Sequence, residues 1–480
     1  MLLLVFAALI RLVRLAEPDE LVFDETYYAK DACIYLGIDP DTCGLATGSE
    51  QSYVHPPLGK WLIAVGIKLF GFNSFGWRIS AVVAGLALVW VVYLLAGRLF
   101  QSHWIAGVSG LLVATDFLLF VQSRIAMLDI FLALFVVLGF LFLAIDRQGA
   151  FAQFSHPERG GGNGPPVRPL WPRLAAGVAF GLALSVKWSA VYVVAAAAVF
   201  AFAWSVAVVR RRRSAAAGDG RRAGGPRLAR EALVTVVAFG LVPVLVYLGS
   251  YSNWLARTLA EECPYTVPAA SDDRLVSAGF LGLEEGACKT GLSGTMLHFA
   301  DLHARVADYH LHLDADHPYQ SKAWTWPFVL RPVAYYYQGE AGRSTEILGM
   351  ANLATWGAAV PAGIWLIRRS RRQWSPERVV LAAWAVQYVP WLLVTRPLFF
   401  FYMTPAVPFM MIGVAAGLGA LRELGKIPRR LVTGFLLVGV GVMLVIFYPI
   451  LTAIELDYDL WRRLMWIPHF NCGELKCGWI

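Results

Sequence analysis

The sequence predicts an all-α polytopic membrane protein, and three observations lead there. Apolar residues make up 58% of 480 and charged residues only 15%, with a mean hydropathy of +0.57, more apolar side chain than a water-soluble core can enclose. Eleven apolar runs approach or reach the ~17–25 residues that cross a bilayer. The basic residues gather between those runs and are not interleaved with base-stacking aromatics, so the net charge of +8 reports membrane topology and excludes nucleic acid as a partner.

In chain order the runs lie at about 1–16, 76–98, 104–122, 127–146, 172–187, 189–209, 231–250, 347–367, 378–395, 398–421 and 431–452. The first passes from Met1 to Val13 into Arg14 and an acidic loop with no small-residue cleavage site, so it reads as a span and not as a removable signal. Cytosolic loops carry the Lys/Arg excess. Arg210 to Arg213, Arg221, Arg222, Arg227 and Arg230 fill 210–230, and Arg368, Arg369, Arg371, Arg372 and Arg378 fill 368–378, which puts both inside. The N-terminus is then cytosolic, and loops 17–75 and 251–346 and the tail 453–480 are exterior parts of one membrane domain spanning 1–480. The Gly/Pro- and Ala-rich stretches 160–166 and 215–220 read as flexible connectors.

Loop 17–75 ends in Leu58 to Phe70, whose apolar residues Leu58, Trp61, Leu62, Val65 and Leu69 recur at helical spacing, broken by Lys60 and Lys68. That pattern suits a helix lying in the membrane interface. Loop 251–346, rich in Trp, Tyr and His, is expected to be ordered, with short helices over the membrane surface. All six cysteines fall outside, two per exterior segment, as disulfides in an oxidising compartment would. Proximity pairs Cys33 with Cys43, Cys263 with Cys288 and Cys472 with Cys477.

Five exterior stretches could converge on one cavity: Asp24-Glu25, His55 to Lys60, Arg124 to Asp129, Lys187-Trp188, and His317 to Ser321 with Trp326. A carboxylate opposed to Arg and Lys is what transfer from a lipid phosphate needs, a base for the acceptor and positive charge for the departing phosphate. Each residue also has a plainer reading. Arg11 and Arg14 could snorkel from the first span, Lys187 could anchor at the interface, and His55 could merely precede the Pro56-Pro57 entry to a helix. Arg124 and Asp129 stand five apart, off the i,i+4 spacing of a helical pair, which favours phosphate binding by Arg124 while Asp129 caps the helix or orients the arginine. His310, His312, Asp314 and Asp316 would share a face of an extended segment and could ligate a divalent metal, or be the wet side of a loop.

In combination and in this order, Arg11-Leu12 to Pro18, Phe23-Asp24-Glu25, His55-Pro56-Pro57-Leu58-Gly59-Lys60, Arg124-x-x-Met127-Leu128-Asp129, Gly181 to Lys187-Trp188 and His317-Pro318-Tyr319-x-Ser321 resemble the protein O-mannosyltransferase family over essentially the whole chain. The resemblance implies a GT-C fold of about eleven transmembrane helices, polyprenyl- or dolichyl-phosphate mannose as donor, and Ser/Thr hydroxyls of translocating polypeptides as acceptors. It puts Asp24 on the catalytic acid, Glu25 on its partner, and Arg11 and Arg124 on arginines the family needs. Loop 251–346 is too short for the β-trefoil of eukaryotic members, and 33 arginines against 8 lysines suit a bacterial, actinobacterial-type member. The expected site comprises Asp24 and Glu25 as catalytic groups and Arg11, Arg124, Lys187, His55, Lys60 and Asp129 on the donor phosphate side. Trp188, His317, Tyr319, Ser321 and Trp326 line the cleft, and no metal or other cofactor is required. A transferase acting on a glycan or lipid is the nearest alternative, and a transporter or flippase the alternative of another class.

Overall fold

The computed structural model describes residues 1–45, 53–155, 169–218, 226–268, 284–313, 316–370, 375–472 and 475–479. Each of the eleven predicted runs coincides with helix. Five helices, Ser74–Phe100, Asp129–Gly149, Trp188–Arg210, Leu228–Ser250 and Lys426–Leu451, are long and apolar enough to cross a membrane by length and composition, and Leu2–Leu12, His103–Thr115, Trp171–Val186 and Val407–Arg422 are shorter apolar helices. Leu353–Arg369 and Pro376–Tyr388 occupy the remaining two runs.

The first half of the chain sets the frame for the site. Helix α1 (Leu2–Leu12) leads through a loop to α2 (Glu25–Tyr35), and Pro56-Pro57 starts α3 (Leu58–Phe70), which ends at Gly71 with φ +87°, a conformation that glycine adopts without strain. Asn73 caps α4 (Ser74–Phe100) by accepting from the Gly76 N–H at 2.9 Å. The predicted run 104–122 is two helices, α5 (His103–Thr115) and α6 (Phe117–Gln122), because Asp116 breaks it. Its carboxylate caps α6 through the Leu119 N–H at 3.1 Å and accepts the Trp356 indole N–H at 2.9 Å. Then follow α7 (Asp129–Ser155), α8 (Trp171–Val186) and α9 (Val191–Gly218). The central position of α7 shows in its burial, 72% of its apolar window against 22% for Leu228–Ser250 and Lys426–Leu451. Small residues let these helices approach closely: a Cβ on Gly177 would collide with the Ala238 carbonyl oxygen, and one on Gly181 would meet Pro243 Cα at 2.9 Å.

Helix α3 has the predicted bounds, yet the face it turns to the protein is Gly59, Lys60, Ile63, Ala64 and Ile67. Of the stripe read from the sequence, Val65 and Leu69 are exposed by 53% and 69%, as an interfacial helix would present them to lipid, while Leu58, Trp61 and Leu62 are half-buried against the protein. The run 398–421 becomes helical only at Val407, since 398–406 forms an irregular, aromatic segment with a 3-10 turn at Phe400–Met403.

Outside the apolar helices, 251–346 is more structured than short surface helices. It holds the 22-residue helix Gly291–His312 and one strand of a hairpin, Val333–Glu340 paired antiparallel with Arg343–Gly349 and closed by Ala341 and Gly342, both with positive φ. Leu456–Asp457 adds a third strand. Disulfides join Cys33 to Cys43 and Cys263 to Cys288, with Cα atoms 5.8 and 5.6 Å apart. Cys477 is also disulfide-bonded, while the side chain of Cys472, its predicted partner, lies outside the described ones.

Candidate active site

Asp24 stands at the start of α2, its side chain making no capping hydrogen bond, directly after Phe23, a bulky residue held at φ +46°. The Phe23 ring is fixed by edge contacts with Tyr335, His317 and Phe401 at 5.2, 5.8 and 6.0 Å. Asp24 stays half-buried, and its Oδ2 accepts a hydrogen bond from Tyr28 Oη, one helical turn on, at 3.2 Å. Burial pushes its carboxyl up to about 6, while Lys187 and the Tyr28 hydrogen bond hold it down and the Asp129 charge pushes it further up. The group is therefore mostly ionised at neutral pH, by a narrower margin than a carboxylate ringed by arginines would have.

Glu25 points the other way, into the protein, and is fully buried. Its two oxygens accept five hydrogen bonds, from Arg78 Nε and Nη2, Trp77 Nε1, and the N–H groups of Val22 and Ala126, at 2.8–3.2 Å. Arg78 also donates to the carbonyls of Leu15, Pro18 and Glu20, so this one ion pair ties the loop ahead of α2 to α4 and to the α6–α7 connection.

A cavity of about 450 Å³ has a polar lining that includes Asp129, Lys187, His55, Trp188, Arg396 and Tyr402; Asp24 stands behind that lining, close enough for the charges of Lys187 and Asp129 to act on it. Asp129 begins α7 and Lys187 ends α8 in extended conformation, and they form a buried ion pair at 2.7 Å. The Lys187 ammonium also faces the Phe401 and Tyr402 rings at 5.6 and 5.5 Å. Arg396 lies over Tyr402 at 5.7 Å and has no hydrogen bond or ion pair among the described residues. His55 stacks on His310 at 5.5 Å, and burial, with the positive charge of Lys187 beside it, holds its imidazole well below the usual range and so neutral. Trp188 donates to Tyr247 Oη at 2.9 Å. One rim of the cavity is apolar and open, with Val191, Tyr192, Leu311 and Leu393 exposed by 51, 42, 74 and 82%.

The structure thus brings Asp24, His55, Asp129, Lys187 and Trp188 together, and places others of the expected set elsewhere. Arg11 is buried and donates to Ser123 Oγ and to the carbonyls of Ala7 and Ala114. Arg124 donates to the carbonyls of Ile10, Arg11, Val13 and Arg14, satisfying the end of α1. Both guanidinium groups are committed to the frame, and neither lines the cavity. Lys60 forms a buried ion pair with Asp31 at 2.8 Å. His317 accepts from the Tyr319 N–H and packs beside Phe23, and Tyr319 lies under Arg331 at 5.3 Å. Ser321 and Trp326 form a buried clasp, in which Ser321 Oγ accepts from Trp326 Nε1 and the Ser321 N–H donates to the Leu398 carbonyl. His310 and His312 are helical, two residues apart and so on different faces; Asp314 lies outside the described residues, among which no group of three or more His, Cys, Asp or Glu side chains could hold a metal.

Sequence reasoning missed Arg78 and Arg396, and both carried a signal. Arg78 is a charge in the first turn of a membrane-length helix, which calls for a buried partner. Arg396 is an isolated arginine between two apolar runs on the side where arginine is scarce.

Families described as dolichyl-phosphate-mannose-protein mannosyltransferase match residues 1–77 and 54–149, and one described as the C-terminal four TMM region of protein-O-mannosyltransferase matches 295–470. A polyprenol-phosphate-mannose--protein mannosyltransferase of Mycolicibacterium smegmatis is 32% identical over 97% of this chain and 91% of its own. The chain belongs to the protein O-mannosyltransferase family. A Corynebacterium glutamicum protein of the same name is 30% identical over 94% of this chain and 88% of its own. Among solved structures, the S. cerevisiae Pmt1-Pmt2 complex bound to the sugar donor matches with a TM-score of 0.71 at 16% identity, covering 98% of this chain and 92% of that one. ArnT from Cupriavidus metallidurans matches with a TM-score of 0.51 at 15% identity, over 88% of this chain and 60% of that one. These likenesses establish the GT-C fold of a multi-pass membrane glycosyltransferase.

Proposed function

We propose that this protein transfers mannose from polyprenyl-phosphate mannose to Ser/Thr hydroxyls of polypeptides, at the exterior face of the cell membrane, with inversion at the anomeric carbon. The observation that carries the site assignment is Asp24, half-buried and bonded by Tyr28, within reach of the charges of Lys187 and Asp129 in the wall of a cavity that opens through an apolar rim and holds Arg396, which has no hydrogen bond or ion pair among the described residues. The rim, formed by Val191, Tyr192, Leu311 and Leu393, suits an isoprenoid chain, and Arg396 with Lys187 suits the phosphate that joins chain to sugar.

In the reaction Asp24 removes the proton from the acceptor hydroxyl as its oxygen attacks C1 of mannose, and the bond from C1 to the phosphate oxygen breaks with its electron pair leaving on phosphate. Lys187 is already balanced by Asp129, so Arg396 supplies the uncompensated positive charge for the leaving group. His55, neutral, lines the cavity without adding charge. A positioned base contributes typically ~10²–10⁴-fold. Glu25 acts through position alone, because its oxygens already accept five hydrogen bonds and fix the segment that presents Asp24. The whole chain works as one membrane unit, N-terminus cytosolic and C-terminal tail exterior, and acceptors reach the site as unfolded chains during translocation.

Asp24→Asn tests the assignment. It keeps shape and removes proton abstraction, so mannose transfer by purified protein is expected to fall ~10²-fold or more while donor affinity stays close to wild type. Near-wild-type turnover at saturating donor and peptide would remove Asp24 from the mechanism.

A further inference from the structure

A second cavity, of about 260 Å³, lies on the other side of His55, the one residue that lines both. Its walls come from separate segments: Tyr35 at the end of α2, Trp61 on α3, Tyr251 and Trp254 where Leu228–Ser250 gives way to the short helix Ser252–Leu259, and His298 on Gly291–His312. The rings face one another in pairs, Tyr35 with Trp61 at 4.7 Å and Trp254 with His298 at 5.1 Å. We propose that this cavity holds the stretch of acceptor polypeptide flanking the Ser/Thr that receives mannose.

The inference rests on the transferase reading of the first cavity, and displacement geometry supplies its main argument. Inversion requires the hydroxyl to approach C1 from the face opposite the phosphate. Lys187 and Arg396 put the phosphate in the first cavity, and neither lines the second, where the exposed Arg257 is matched by Glu261 and no excess positive charge remains for a lipid phosphate. Between the two stands His55, with the Tyr28 ring 6.1 Å from it and Asp24 bonded to Tyr28, so the wall that the cavities share leads through two side chains to the base, and the flanking stretch in the second cavity leaves the Ser/Thr itself to reach past His55. The lining suits a polypeptide held without regard to much of its sequence. Tyr and Trp rings offer large, stiff contact surfaces at small entropic cost, and Asn253, Arg257 and Glu261 offer donors and acceptors to backbone amides. A cavity this small admits an extended segment and no folded surface. The disulfides brace it on two sides, Cys33 standing two residues before Tyr35 and Cys263 two residues after Glu261, which keeps the walls in place before the chain arrives.

The test is steady-state kinetics on the full-length protein with polyprenyl-phosphate mannose and a synthetic threonine peptide. Trp254→Ala is expected to raise the peptide KM roughly tenfold, the loss typical of a truncated aromatic anchor, with the donor KM and the turnover at saturating peptide unchanged. A peptide carrying a benzophenone residue two positions from its threonine, irradiated with the wild-type protein, is expected to label residues 251–261 or 291–312. That arm needs no variant to fold. Normal transfer with an unmoved peptide KM, or a label confined to other segments, overturns the acceptor site while leaving the transferase reading intact. Failure of the wild type to transfer mannose to any Ser/Thr peptide overturns both.

Discussion

At the scale of single residues, the proposed reaction depends on a carboxylate that is buried enough to be basic and still ionised at neutral pH. With its carboxyl pushed up to about 6, Asp24 carries a proton below that pH and cannot accept another. kcat/KM for peptide is therefore expected to be flat above pH 7, half-maximal near 6 and to fall about tenfold per pH unit below, as read from a pH–rate profile. Tyr28→Phe removes the hydrogen bond that favours the ionised form, so the acid limb is expected to move up by roughly one unit. At pH 6 this variant then loses about fivefold more than at pH 8, a pattern that general damage to the fold would not produce. Arg396→Ala takes away the cavity's uncompensated charge, and its expected signature is a lower kcat, by ~10²-fold or more, with the acid limb unmoved. Neither Tyr28 nor Arg396 belongs to a motif that stands out in the sequence, because their meaning lies in what they face across the fold.

At the scale of elements, the contrast between neighbouring Asp24 and Glu25 shows how much of the site is scaffold. The Glu25–Arg78 pair joins the loop before α2 to α4, with both side chains buried, and each hydrogen bond it makes replaces one that water would supply. Arg78→Met would leave Glu25 a buried charge without its counterion, and the expected loss of stability is ~3–5 kcal/mol, measured as an earlier thermal unfolding transition in detergent. Glu25→Gln is expected to unfold earlier as well, while the correctly folded fraction keeps turnover within a few-fold of wild type. Sequence alone resolved the helices, because apolar periodicity and length are local properties, and it drew α3 to the residue. It merged α5 with α6, since one aspartate hardly lowers the hydropathy of a window, and it passed over the hairpin Val333–Gly349, whose tyrosine-rich first strand lies in a segment read as loop and whose second runs into a segment read as a span. The family resemblance puts Arg11 and Arg124 on the phosphate side, and for Arg124 the five-residue offset from Asp129 points the same way. Backbone carbonyls near the ends of α5 and α1 satisfy these guanidinium groups equally well, and only coordinates separate the two uses.

At the scale of the molecule, two independent signals support the proposed exterior site. In the proposed orientation the arginine-rich connections 210–230 and 368–378 lie inside, with Asp24 and the Gly291–His312 helix outside. The disulfides Cys33–Cys43 and Cys263–Cys288 stand within the same exterior segments, and such bonds persist in an oxidising compartment. Charge asymmetry acts during insertion and disulfide stability acts afterwards, so their agreement does not follow from a shared cause. With no free cysteine among the described residues, single introduced thiols can report the orientation in intact cells. Leu292 and Leu424 are 66% and 75% exposed, the first on the Gly291–His312 helix and the second next to the arginine-rich turn after Val407–Arg422. An impermeant maleimide is expected to label Leu292→Cys at once and Leu424→Cys only after the membrane is opened. Equal labelling of Leu424→Cys in intact cells would turn the molecule over and move Asp24 to the cytosolic face, where the acceptor would be a finished cytosolic protein and not a chain on its way out.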